Sequence, residues 1–140
     1  MRFKRKRLAF REEYAEYAWG GGTSWIVAVH TRDGHSRVVS VATGLDRERT
    51  ARGVGVGSAE RAVRRKTGAR CVGEPRYDPD VYKDTMLCYL GRSRRTAHTV
   101  FSLVEDCAEV VPAHANCPPR KVTFVVYEVK VGDPRFIFGA

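Results

Sequence analysis

Three glycines at alternate positions, Gly53, Gly55 and Gly57, stand directly in front of a helix-forming run in TARGVGVGSAERAVRRKTGARC, residues 50–71. No other stretch constrains the fold as tightly. Ser58 is a good helix N-cap, residues 59–67 carry the helical run, and Gly68 is a natural terminator. The segment therefore reads as an extended approach, a helix of about one to three turns, and a return toward Cys71. Ala59, Ala62 and Val63 form a narrow apolar stripe at helical spacing, with Arg61, Arg64 and Arg65 opposite. Such a helix lays its small-residue face on a sheet and shows a basic face to solvent.

The rest of the chain reads as strands. WIVAVHT (25–31) and SRVVSVAT (36–43) flank an Asp33-Gly34 pair, a strong hairpin signal. Further strands are expected at 85–90, 98–104, 108–111, 122–131 and 135–138, with VTFVVYEVKV the richest in β-formers. Pro75 and Pro79 mark residues 74–84 as a long surface loop, and Pro118-Pro119 breaks the chain before the 122–131 strand. Tyr14 to Trp19 fits a helical turn or an irregular strand equally well. Short strands with short connections and one principal short helix, at about 59–67, describe an α+β domain with an antiparallel sheet. The expected organisation is a basic arm and glycine loop over 1–24 and a single domain over 25–140.

At 140 residues the chain has room for one ordinary core. No apolar run approaches the roughly 20 residues that cross a bilayer as a helix. The start, MRFKRKRLAF, has the charge of a leader, but Arg11, Glu12 and Glu13 interrupt the apolar stretch a leader needs. A leaderless protein and an already processed one both fit. Lys and Arg number 25 against 16 Asp and Glu, a net charge of +9 that favours polyanions or acidic proteins as partners. The cations fall in three runs, at 2–7, 61–66 and 92–95, and solvated surface charge is the plainer reading of each.

Four cysteines, Cys71, Cys88, Cys107 and Cys117, suggest two disulfides in a small exported domain. Cys71–Cys88 and Cys107–Cys117 is the expected pairing, because both bridges close local loops. Four reduced thiols in a cytoplasmic protein are the alternative.

Thr50, Gly53, Gly55, Gly57, Ser58, Gly68, Cys71 and Cys88, with the CYLGR run at 88–92, resemble a pattern in small exported bacterial proteins. The pattern is similar to that of the β-lactamase-inhibitor-protein-like and outer-membrane-lipoprotein-like α+β domains of actinobacterial type. The resemblance covers roughly residues 25–92. It implies a sheet-and-short-helix fold that binds other macromolecules and performs no catalysis.

Four chemistries compete with plain structure. The glycine segment invites a phosphate loop, but Ser58 stands where a dinucleotide fingerprint needs its third glycine, and the approach over 46–52 is charged. A structural turn and helix cap is the expectation. Zinc would need His98 or His114 beside the cysteines, and only His114-Ala115-Asn116-Cys117 approaches ligand spacing, so no metal and no cofactor is expected. A basic nuclease would draw on His30, His35, His98 and His114 with Glu12, Glu60 or Glu128, and nothing in the sequence gathers them. Tyr14, Tyr17, Trp19 and Trp25 are a stacking platform or core residues. Trp25 reads as core, and Trp19, beside three glycines, as an exposed anchor.

The reading is a non-catalytic binding domain of a small exported protein, engaging a protein or envelope component through Trp19 and the basic face of Arg61, Arg64, Arg65 and Lys66. The alternative is a cytoplasmic basic domain that binds nucleic acid, and a small basic nuclease is weaker still. Location follows the cysteines: secreted or envelope if they are oxidised, cytoplasmic if not.

Overall fold

The computed structural model describes residues 2–9, 12–19, 24–31, 35–45, 47–79, 83–107 and 122–137. Eight strands form one sheet: β1 (Arg2–Ala9), β2 (Glu12–Trp19), β3 (Ser24–Thr31), β4 (Ser36–Thr43), β5 (Arg70–Asp78), β6 (Lys83–Leu90), β7 (Thr99–Cys107) and β8 (Val122–Gly132). Helix α1 (Glu60–Thr67) lies between β4 and β5, and a single helical turn, α2 (Pro134–Ile137), follows β8. A 3-10 turn at Arg94–Thr96 links β6 to β7. The protein is thus an antiparallel sheet with one principal short helix, more strand-rich than the expected α+β balance.

The strand order β1-β2-β3-β4-β8-β7-β6-β5 is two four-stranded meanders joined edge to edge. The join is short, running from Ser40↔Gly132 to Thr43↔Val129. Beyond it the β8 edge is taken by the glycine segment: the Gly57 amide donates to Val126 O at 2.8 Å, and the Val126 amide to Ser58 O at 2.9 Å. An edge that would stand open is thereby closed.

Alternation along β5–β8 gives each face its own cover. Phe101, Leu103, Val126, Val129, Met86 and Cys88 lie on one side and are capped by Val54 and Val63, all buried. On the other side Val100, with Ala97, packs on Ile137 of α2, with Leu87 and Tyr89 beside them.

Several sequence expectations are corrected. Residues 74–84 do not form one long loop, because β5 continues to Asp78 through Pro75. As the outermost strand, β5 has a side with no ladder partner, where a missing N–H costs nothing. Residues 135–137 are helical and not strand, since Pro134 suits a first helical position and the Ile137 amide donates to Asp133 O at 3.3 Å. Residues 2–9, read as a frayed arm or at best an edge strand, are the edge strand β1, and 12–19, read as a helical turn or irregular strand, pair beside it as β2. The strand expected at 108–111 and the second cysteine partner, Cys117, lie outside the described residues.

Candidate binding site

The glycine segment folds as a self-contained loop. Arg49 reaches across it, donating from Nη1 to Gly53 O at 2.9 Å and to Ser58 Oγ at 3.2 Å, and from Nη2 to Val56 O at 3.4 Å. Thr50 Oγ1 accepts from the Val54 amide, and Ser58 Oγ accepts from the Gly55 amide. The Gly53 amide donates to Thr50 O and the Ser58 amide to Gly55 O. With Gly57 bound to Val126, the amides of Gly53, Val54, Gly55, Gly57 and Ser58 are all spent inside the protein. A phosphate cradle needs such amides pointing outward and free. Gly55 is confined by proximity, since a Cβ there would sit 2.8 Å from Glu48 O.

Ser58 does not cap α1. The N-cap is Ala59, with no side-chain cap bond, because the Ser58 hydroxyl is turned back toward Gly55. Gly68 ends the helix in the left-handed region, φ 71°, and its amide donates to Arg64 O.

α1 buries Val63 and turns its cations outward. Arg64 Nε pairs with Glu60 Oε2 at 3.5 Å, one turn earlier. Arg61, Arg65 and Lys66 have no ion-pair partner among the described residues. These three line a groove of 510 Å³ together with Ala59 and Ala62, so of the small-residue stripe expected against the sheet only Val63 is buried. Its floor is alanine methyl and aliphatic stem, and its rim is cationic. Arginine stems supply apolar surface while their heads stay in water, so the groove offers apolar contact and charge together.

The second basic run is tied to β5. β5 begins three residues after α1 ends, and its Arg70 donates from Nη1 to Arg92 O at 3.2 Å. The start of β5 is thereby tied to the 92–95 turn, while α1 and that turn cover opposite faces of β5–β8. Sequence reading had no signal for this, because it follows from the register Arg70↔Tyr89. Cys71 and Cys88 are direct register partners at disulfide distance, with Cα atoms 3.9 Å apart.

The other candidates are not gathered. Trp19 is paired with Ser24 in β2–β3, and β2 stands three places in the strand order from β8, the strand that α1 contacts. His30 is in β3, His35 is exposed, and His98 shares a 2.9 Å hydrogen bond between its Nδ1 and Thr99 Oγ1. His114 lies outside the described residues. Among the described residues no three His, Cys, Asp or Glu side chains converge on a common point, and every buried side-chain polar atom has a hydrogen-bond partner. The buried Glu105 accepts the Asp84 amide through Oε1 at 3.2 Å. No helix is long and apolar enough to cross a membrane among the described residues. No family model matches the chain, and no curated protein or solved structure matches it.

Proposed function

We propose that this chain is a non-catalytic binding domain of a small exported protein, akin to the β-lactamase-inhibitor-protein-like domains its glycine segment resembles. Its partner is an acidic protein segment seated on α1. The observation that carries this is the α1 groove, where unpaired Arg61, Arg65 and Lys66 surround an alanine floor. Carboxylates answer the rim, and an aliphatic or aromatic side chain answers the floor, which is the usual division between polar rim and apolar centre at an interface. Export is supported by the Cys71–Cys88 pair, since such bridges persist in oxidising compartments.

Selection from a displayed random-peptide library tests the reading. Enriched peptides should combine Asp or Glu with a large apolar residue, and the R61E/R65E variant should lose them. Peptides without acidic character, or retention by that variant, would overturn it. A thiol count on unreduced protein tests export, since reactive Cys71 and Cys88 would speak against it. The net charge of +9 favours nucleic acid as a second reading. In that case duplex DNA binding should weaken steeply with salt.

A further inference from the structure

The β5–β6 ladder is interrupted. Val72 faces Leu87 and Arg76 faces Thr85, so three β5 residues, 73–75, stand opposite Met86 alone. A bulge of this kind bends its strand and opens the ladder, and bulges recur beside binding sites. The opening here is a pocket of 260 Å³, lined by Val72, Glu74, Arg76, Thr85, Met86 and Leu87 together with Arg94 of the 3-10 turn. It opens on the side where Leu87 packs toward Val100 and Ile137, the face opposite α1.

Three features make this a built site. One wall is apolar, from Val72 and Leu87, while the Arg76 and Arg94 side chains have no ion-pair partner among the described residues. The turn carrying Arg94 is held by the Ser93 amide donating to Thr96 Oγ1 at 3.1 Å and by the backbone bond from the Thr96 amide to Ser93 O at 3.2 Å. The Cys71–Cys88 pair staples β5 to β6 one register position before the bulge. Two guanidinium groups against one carboxylate, Glu74, leave the pocket one positive charge in excess. Guanidinium forks match carboxylates in bidentate geometry.

We infer that the bulge pocket binds an organic monoanion, a carboxylate on an apolar body, with Arg76 and Arg94 on the carboxylate and Val72 and Leu87 against the body. The source is a free aliphatic acid or the C-terminal residue of a peptide. The site is independent of the α1 groove, so its failure leaves that reading untouched.

Amide NMR titration of the oxidised full chain with hexanoate tests it. Saturable shifts are expected at residues 72–74, 76, 85–87 and 94, and none with hexanol. R94Q should weaken binding roughly tenfold, the scale of one charge-assisted pair, while R95Q on the same turn should leave it unchanged. R76Q should match R94Q, and R94Q alone keeps the test valid if R76Q disturbs β5. An acetylated dipeptide ending in a free leucine carboxylate, compared with its amide, identifies the source. Tighter binding of the acid than of hexanoate assigns a chain terminus, and weaker binding a free acid. No saturable shift, equal response to hexanol, or unchanged affinity in R94Q would overturn the proposal.

Discussion

The two meanders share one sheet and are built differently. β5–β8 is covered on both faces, by α1 with the glycine loop on one side and by α2 with the 3-10 turn on the other. Its interior holds Phe101, Leu103, Val100, Val126 and Cys88, each no more than 2% exposed. In β3 and β4 the buried set among the described residues is smaller in volume, with Val27, Ala28, Val39, Ala42, Ser24 and Ser40. Val38 and Val41 of β4 and Val131 of β8 remain 56%, 42% and 49% exposed. Large buried side chains carry most of the hydrophobic stabilisation. Among the described side chains the largest buried ones fall in β5–β8, which is expected to unfold last, and the first meander joins it through four register pairs.

Phe101→Ala should break the comparison most forcefully. It empties a fully buried aromatic site and should cost about 3–5 kcal/mol, read by denaturant unfolding. A loss below 1 kcal/mol would mean that the core of β5–β8 does not dominate stability. Reducing Cys71–Cys88, or replacing both by serine, should cost about 3 kcal/mol for a loop of 17 residues in the chain-entropy model. The same treatment should release β5 in hydrogen exchange before β7.

Gly132→Ala sharpens the contrast at the join. A Cβ there would lie 2.1 Å from Val39 O, so the β4–β8 contact must part or distort, at about 1–3 kcal/mol. Amides of β3 and β4 should then exchange faster while those of β6 and β7 keep their protection. Equal acceleration in both halves would show that they unfold as one.

The smallest effect concerns Tyr127 on the bulge of β8. Burial, reinforced by Glu128 and Asp78, raises its phenol above the usual 10.0, against a lowering hydrogen bond from Ser102. Below about pH 10 the phenol is neutral in both folded and unfolded chains. Above it the unfolded chain ionises first, so stability falls as pH rises. Thermal midpoints between pH 8 and 11 should fall less in Tyr127→Phe than in the parent. Parallel curves would remove Tyr127 from the account.

Much of the local structure was legible. The β3 and β4 runs, the helix ending at Gly68 and the long β8 follow from side-chain pattern and turn chemistry, which act over a few residues. Other features were not. Pro75 looks like a loop signal because sequence does not tell an outer strand from an inner one. Ser58 looks like a helix cap because its hydroxyl has two neighbouring choices, and the docking of 57–58 on Val126 selects the one facing Gly55. Residues 135–137 carry β-rich side chains, yet Pro134 after Asp133 starts a turn. The candidate sites divide the same way: Arg61, Arg65 and Lys66 share a helix surface that spacing predicts, whereas Arg76 and Arg94 are 18 positions apart and meet only across a bulge.

By itself the sequence determined a basic, strand-rich chain and a short helix with an outward cationic face, and it favoured Cys71–Cys88 among the possible cysteine pairings. These depend on composition, periodicity and spacing. The tertiary structure decided which edges meet, that the glycine amides are consumed internally, and that Arg70 ties the start of β5 to the 92–95 turn. It also opened a pocket in the β5–β6 ladder. Each of these is a matter of register, and register is set by partners far along the chain and by packing from both faces, which no local pattern encodes.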